Sequence, residues 1–307
     1  MKPLIIGTRG SKLARTQTQW VADQLKKSHA RLSVEIKVIQ TAGDRDQTAP
    51  LTAIGGKGLF TQELDQQLID GEIDCAVHSM KDLPTELPEG IAILAVPKRE
   101  QPHDALISRE NVRFLELPPG ATVGTGSIRR LAQLLRIRGD LKYEDIRGNV
   151  DTRIKKLAQG LYDAVILAAA GLRRLGMDDQ ITELFAPNVV LPAVGQGALA
   201  VTGRQDDQTT RTVVRAITHL NTRRAVLAER ALLSELGGGC HVPIAAHGQV
   251  TGRQIHLEGL VVAPDGKTSV RDSITGSAKD AEALGTQLGK RLLQLGAGPI
   301  LEALHEP

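Results

Sequence analysis

Through the first two-thirds of the chain, short runs rich in Val, Ile and Leu alternate with longer stretches whose apolar residues recur every three or four positions. That alternation of periods two and 3.6 belongs to α/β domains with mainly parallel sheets, because helices linking such strands must pack on the sheet faces. Residues 4–8 read as a strand, and 11–28 as a helix with an apolar face of Leu13, Trp20, Val21 and Leu25. Strands follow at 34–39, 75–78 and 91–96, with a helix at 60–69. Pro97 and the charged stretch 98–103 mark a first boundary. A second α/β unit has strands near 104–108, 122–125, 143–146 and 163–168 and helices near 128–138, 150–159 and 171–175, closing around Pro192.

After two more helical stretches at 207–217 and 222–236, the run Gly237-Gly238-Gly239 ends the pattern and a different one begins. Residues 242–250, 254–262 and 268–275 alternate as antiparallel strands, joined in part by the turn Pro264-Asp265-Gly266 and followed by a helix at 279–294. The fold expected is therefore α/β: two α/β domains and a small C-terminal α+β domain with a three-stranded antiparallel sheet.

Composition excludes several functions. Of 307 residues, 41% are apolar and 24% charged, far from the balance that keeps chains disordered. Aromatics are only 2%, too few for base-stacking platforms, so no nucleic-acid partner is expected. The 38 basic residues nearly match 35 acidic ones, which leaves placement, not net charge, to indicate the ligand. Cys75 and Cys240 are the only cysteines and no CxxC spacing occurs, so a reducing compartment and no metal site are expected. The apolar stretch at the N-terminus is too short for a signal peptide or membrane span, and the expectation is a cytoplasmic protein without a membrane partner.

Basic residues gather where strands hand over to helices: Arg9 with Ser11, then Arg129 and Arg130 beside Ser127, then Arg147, with Arg153 one turn into the next helix. In open α/β sheets these positions line the ligand crevice, and helix N-termini and guanidinium forks there favour carboxylates or phosphates. Any one of these arginines could equally be a solvated surface charge. The loops Gly55-Gly56-Lys57-Gly58 and Gly124-Thr125-Gly126-Ser127 would let backbone approach an anion, but neither has the Walker spacing, and no GxGxxG follows the first strand. Lys81 and Asp82 leave the strand at 75–78 together. They are either an ordinary surface pair or a lone carboxylate in a basic cleft, suited to stabilising a cation or accepting N–H bonds. Cys75 and His78 read as core residues. Cys240, between three glycines and His241, is a buried thiol, a nucleophile or a point of covalent attachment.

In order along the chain stand Gly7-Thr8-Arg9-Gly10-Ser11-Lys12-Leu13-Ala14, Gly55-Gly56-Lys57-Gly58-Leu59-Phe60 and Ala76-Val77-His78-Ser79-Met80-Lys81-Asp82-Leu83-Pro84. Then come Ser127-Ile128-Arg129-Arg130, Ile146-Arg147-Gly148-Asn149-Val150-Asp151-Thr152-Arg153 and Ala169-Ala170-Gly171-Leu172-Arg173-Arg174-Leu175-Gly176. Leu191-Pro192-Ala193-Val194-Gly195-Gln196-Gly197-Ala198 and Gly238-Gly239-Cys240-His241-Val242-Pro243-Ile244 complete the series. With these motifs the chain resembles the porphobilinogen deaminases, or hydroxymethylbilane synthases, over nearly its whole length.

The resemblance implies a monomeric transferase of tetrapyrrole biosynthesis with three domains. The first two would be periplasmic-binding-protein-like: residues 1–97 with a return segment 196–216, and residues 101–192. Residues 220–307 would form the third. It implies a dipyrromethane cofactor attached covalently through Cys240 and held by Lys81, Asp82, Thr125, Ser127, Arg129, Arg130 and Arg147. The substrate porphobilinogen would be bound by Arg9, Ser11, Lys57, Arg147, Arg153, Arg174 and Gln196, with Asp82 the catalytic residue. Gly126 stands where relatives often have Ser, and Ala53 where some have a second lysine, which touches secondary contacts only. Two other readings are a non-catalytic anion-binding protein, which gives Cys240 no task, and a thiol hydrolase pairing Cys240 with His241. The second fails if the two sit in a strand, where adjacent side chains point to opposite faces.

Overall fold

The computed structural model describes residues 2–41, 61–238 and 242–303. Lys57, Ala53, the glycine loop 55–58, Phe60, Cys240 and His241 lie outside the described residues. The chain divides into two compact units, Met1–Glu100 with Ala198–Arg223, and Gln101–Gly197 with Arg224–Pro307.

In chain order the first unit runs β1 (Leu4–Arg9), α1 (Lys12–Ser28), β2 (Val34–Ile39), α2 (Gln62–Ile69), β3 (Cys75–Ser79) and β4 (Ile91–Ala95). The second begins with β5 (Asp104–Ser108), β6 (Thr122–Gly124), α3 (Ile128–Leu135), β7 (Lys142–Glu144), α4 (Val150–Ala158), β8 (Ala164–Ala168), α5 (Ala169–Arg174) and β9 (Glu183–Leu184). The chain then returns to the first unit as β10 (Leu199–Arg204) and α6 (Gln208–Arg215). After α7 (Leu220–Glu235), the antiparallel strands β11 (Ile244–Thr251), β12 (Gln254–Val262) and β13 (Ser269–Ser277) and the helices α8 (Ala281–Leu292) and α9 (Gly298–Glu302) complete it. No helix among the described residues is long and apolar enough to cross a membrane.

The first sheet has the order β2-β1-β3-β10-β4 and the second β7-β6-β8-β5-β9. The expectation of mainly parallel sheets is corrected by both. In the first, β1 runs parallel to β2 and β3 while β10 is antiparallel to β3 and β4. In the second, β6 is parallel to β7 and β8 while β5 is antiparallel to β8 and β9. Each sheet keeps its parallel half where helices make the crossovers and takes antiparallel partners where the connection is of another kind.

Helix α1 starts because Ser11 Oγ accepts the Ala14 N–H at 3.2 Å, and it ends with Lys26 and Lys27 against the negative end of the dipole. Its buried face is Gln17, Thr18, Val21, Ala22 and Leu25; Trp20, expected on that face, is 41% exposed. Polar residues hold the inner positions because they have partners there: Thr18 donates to Thr8 Oγ1 at 2.8 Å, and Gln17 bonds Ser79. In the second sheet alternate residues go to opposite cores, Leu106 and Ile166 to one, Ala105, Ile107, Val165 and Leu167 to the other.

The three-stranded sheet buries Ile255 and Leu257 against Ala228, Leu232, Leu288 and Leu292 of the two long helices. Its opposite face places Ala245, Leu260 and Val262 with Ala132 of α3 and Leu191. Gly285 of α8 meets α7 so closely that an added Cβ would collide with the Ala228 carbonyl oxygen and come within 2.9 Å of Ala231 Cβ. Overpacking a contact of this kind costs about 1–3 kcal/mol. Gly285→Val is therefore expected to lower the thermal midpoint by several degrees in a calorimetric scan, with no change at an exposed control such as Gln287→Val.

Candidate active site

In the first unit the site is built where β1 and β3 end side by side. Arg9 closes β1, and Ser11, two residues on, is occupied as the N-cap of α1. The exit of β3 is fixed by three separate contacts. His78 Nε2 lies 3.0 Å from Thr202 Oγ1, Ser79 Oγ exchanges hydrogen bonds of 3.1 and 3.3 Å with the Gln17 amide, and Met80 N donates to Ala198 O at 3.0 Å. A single 3₁₀ turn, Met80–Asp82, follows with Met80 buried beneath it. Lys81 and Asp82 thus leave the sheet on a short, anchored turn, both half-buried. Burial, reinforced by the charge of Arg9, pushes the His78 imidazole down from 6.5 to about 4, so the ring is neutral in the fold. Cys75 is fully buried, and burial together with Asp74 raises its thiol far above the ordinary range, which makes it a core residue and not a nucleophile.

In the second unit a single carboxylate organises the arginines. Asp104, the first residue of β5, is fully buried; Arg130 Nε donates to its Oδ1 at 2.8 Å, and Arg129 Nη1 makes an ion pair with its Oδ2 at 2.8 Å. Gln196 adds its amide Nε2 to Oδ1 at 3.0 Å and to Pro102 O at 2.6 Å, while its Oε1 accepts from Arg130 at 3.5 Å. Burial alone would raise the Asp104 carboxyl, but the two guanidinium groups and the Gln196 amide outweigh it and hold it well below the usual carboxylate range. Arg129 and Arg130 also donate to the carbonyls of Leu191 and Ile166. They are 4% and 5% exposed, which removes the reading of them as solvated surface charges. Arg129 Nε remains buried without a hydrogen-bond partner.

Around this pair the other sequence candidates fall into place. Thr125 N donates to Glu144 O, and Thr125 Oγ1 accepts the Ser127 N–H at 3.3 Å, which sets Ser127 at the cap position of α3. Arg147 Nε bonds Asp145 at 2.6 Å. Gly148 adopts φ +106°, open to glycine, and turns its carbonyl to Arg153 Nε at 2.8 Å. Arg174 donates to Gly197 O at 2.6 Å. Burial first, then the charges of Arg130 and Arg147, push the Arg153 guanidinium down to about 10. Arg153 thus lies in the field of two other cations. The structure therefore brings together Thr125, Ser127, Arg129, Arg130, Arg147, Arg153, Arg174 and Gln196 in one unit, and Arg9, Ser11, Lys81 and Asp82 in the other. Asp104, Gln17 and Glu229 were missed; each is a buried polar side chain whose partners come from remote segments. Only a charged residue heading the apolar run Asp104-Ala105-Leu106-Ile107 could have signalled one of them.

The fold and these groups define an α/β protein that presents fixed cations, and one anchored carboxylate, at its strand-to-helix junctions. The chain is matched over residues 4–212 by the family model for the porphobilinogen deaminase dipyrromethane cofactor-binding domain and over 223–294 by that for the porphobilinogen deaminase C-terminal domain. Similar proteins include the porphobilinogen deaminase of Geobacter metallireducens, 50% identical over 99% of this chain and 96% of that protein. The porphobilinogen deaminase of Pelotomaculum thermopropionicum is 51% identical over 99% and 98%. The chain belongs to the porphobilinogen deaminase family, a family of transferases. Among solved structures, a methionine-binding lipoprotein of Bacillus subtilis aligns with 69% of this chain and 88% of its own at 12% identity and a TM-score of 0.43. An arginine-specific periplasmic binding protein of Salmonella typhimurium aligns with 71% and 92% at 14% identity and a TM-score of 0.42.

Two outcomes test this geometry. Removing one partner of a buried ion cluster strands the others, so Asp104→Ala is expected to cost about 3–5 kcal/mol in denaturant unfolding. An exposed-pair loss near zero would place the arginines elsewhere. His78 stabilises the fold as the neutral ring. Its contribution is complete above the unfolded value of 6.5 and is lost as pH falls toward the folded value of about 4. Asp65, buried and pushed up to about 6, contributes the opposite slope below that pH. The difference between the stability curves of the wild type and His78→Gln therefore isolates the histidine, and it should grow with pH from about 4 to 6.5 and then level off.

Proposed function

We propose that this chain condenses four porphobilinogen molecules head to tail, releasing four molecules of ammonia, on a dipyrromethane primer attached through Cys240. Addition of water then frees hydroxymethylbilane for tetrapyrrole biosynthesis. The observation that carries the reading is the match of both family domains over nearly the whole chain, with the Lys81-Asp82 turn and the arginine clusters in the matched region. We take the chain to act as a cytoplasmic monomer, with the domains divided as the sequence suggests.

The residues suit such a cofactor. Every pyrrole unit carries an acetate and a propionate, and the second unit holds an excess of positive charge: two guanidiniums share one carboxylate, the Arg153 cation is disfavoured first by burial and then by Arg130 and Arg147, and a buried Nε is left without a partner. Carboxylates brought into that field are stabilised by charge-assisted, bidentate hydrogen bonds and relieve the repulsion. Lys81, Thr125, Ser127, Arg129, Arg130 and Arg147 would hold the cofactor's carboxylates, and when bound it supplies the nucleophilic pyrrole carbon.

Arg9, Ser11, Arg153 and Arg174 would hold the side-chain carboxylates of the incoming porphobilinogen, with Lys57 and Gln196 as further contacts. Departure of ammonia leaves a positive charge spread over the incoming ring. Asp82 is the group proposed to face it. Its carboxylate would accept the pyrrole N–H and stabilise that charge, and an acceptor on an anchored turn does this without reorganising as the charge appears. The Gln17, Thr202 and Ala198 contacts behind the turn supply that anchorage.

The intact mass of the purified chain is expected to exceed the sequence mass by a dipyrrole, and Cys240→Ser is expected to lack the increment and melt lower than the loaded wild type. An unmodified chain that turns over porphobilinogen would overturn the attachment, while an unmodified, inactive chain that binds small dicarboxylates would favour the anion-binding reading. Asp82→Asn is expected to keep the dipyrrole mass and to lose about 10²-fold or more in kcat, the scale on which electrostatic stabilisers act. Near-normal turnover would remove Asp82 from the mechanism.

A further inference from the structure

The mechanism makes no use of Glu229, yet this carboxylate of the second unit joins segments distant in sequence. It sits on α7 and is fully buried. Its Oε2 accepts the N–H of Gly195 at 2.7 Å and its Oε1 the N–H of Gly248 at 2.8 Å. One side chain thereby ties together a helix, a strand of the antiparallel sheet and the peptide that carries Gln196.

The three tied segments have a bearing on the site. Helix α7 ends at Glu235 and β11 begins at Ile244, so Cys240 lies on the connection between them. Glu229 fixes the helix before that connection and the strand after it to a common point. The common point is the loop holding Gln196, whose amide bonds Asp104 and Arg130, and Gly197, whose carbonyl takes Arg174. Gly195 and Gly197 have φ of +71° and +85°, so the loop has a shape that Gln196 alone does not determine, and the Glu229 bond to Gly195 pins it at its start.

Chemistry also favours a positioning role over filling space. A buried carboxylate costs several kcal/mol of desolvation, and an apolar side chain of similar volume often packs as well or better. What the carboxylate adds is two acceptor oxygens at a fixed separation, which can hold two backbone N–H groups from different segments. A glutamine offers one acceptor and sets its NH₂ against the other N–H. We propose that Glu229 is a positioning residue that holds the flanks of the Cys240 connection in register with the Gln196 loop, and through it with Asp104, Arg130 and Arg174. This rests on the function proposed above.

The test uses the loaded enzyme. Glu229→Gln, Gln196→Ala and the double variant are each checked for the dipyrrole mass and for the thermal midpoint, and kcat and KM for porphobilinogen are then measured. A displaced reactive group costs roughly ten- to a hundredfold, and each single variant is expected to lose that much in kcat/KM. If Glu229 acts through Gln196, the double variant loses no more than the worse single one. Losses that multiply in the double variant, or wild-type kinetics in Glu229→Gln, would overturn the proposal. Should Glu229→Gln not fold, Glu229→Asp, which keeps both oxygens on a shorter stem, carries the same comparison. A wild-type chain without the dipyrrole and without turnover would overturn the functional reading and this proposal together, whereas multiplicative losses in an active enzyme overturn this proposal alone.

Discussion

Asp104 bears its negative charge in a fully buried place, and it can do so only while Arg129 and Arg130 stand against it. The balance is close. Desolvation of the three ions opposes folding, and the attraction among them, stronger in a medium of low dielectric, must offset it. Two guanidiniums on one carboxylate also leave a net positive charge. That surplus, with Arg153 beside it, is the feature of the second unit on which the proposed binding of carboxylates rests.

The same constraint explains the rigidity of the surroundings. Each arginine has at least one fixed protein acceptor, whether Asp104, Asp145 or the carbonyls of Leu191, Ile166, Gly148 and Gly197. Like charges held this close would otherwise swing apart into solvent. Anchored guanidiniums lose little further freedom when an anion arrives, which is how a crowded cationic site binds without a large entropic cost. In the first unit the anchoring falls on backbone and neutral side chains, and the carboxylate of Asp82 is presented on a turn one residue long on either side of Lys81.

Much of the architecture was legible because it is local. Periodicities of two and 3.6 residues placed β1, α1, β2, β3, β5, β8 and the three antiparallel strands within a residue or two of their observed bounds. What the pattern did not reveal was set at a distance. Strand β10 has only five small or apolar residues before Arg204, and its antiparallel pairing with β3 and β4 leaves no mark on its own composition. Trp20 reads as core by hydropathy, but Gln17 and Thr18 occupy the inner face because Ser79 and Thr8 supply hydrogen bonds there. The arginines were visible as cations at strand ends. Their orientation was not, because Asp104 is 26 residues from Arg130 and 92 from Gln196, and Glu229 is 34 from Gly195. Spacing shows which charges a chain owns, and tertiary structure decides which of them are already spoken for.

The position of β10 bears on how the molecule is made. It lies between β3 and β4, in the interior of a sheet whose other four strands are complete by residue 95. A chain emerging from the ribosome therefore cannot close its first sheet until about a hundred further residues have been translated. Until then the facing edges of β3 and β4 expose unpaired amides and apolar side chains. The enclosed second sheet has all its strands by residue 184 and can mature earlier, so the N-terminal portion, first to be synthesised, is the last of the two to consolidate. Biogenesis thus has a built-in interval in which chaperones have a substrate.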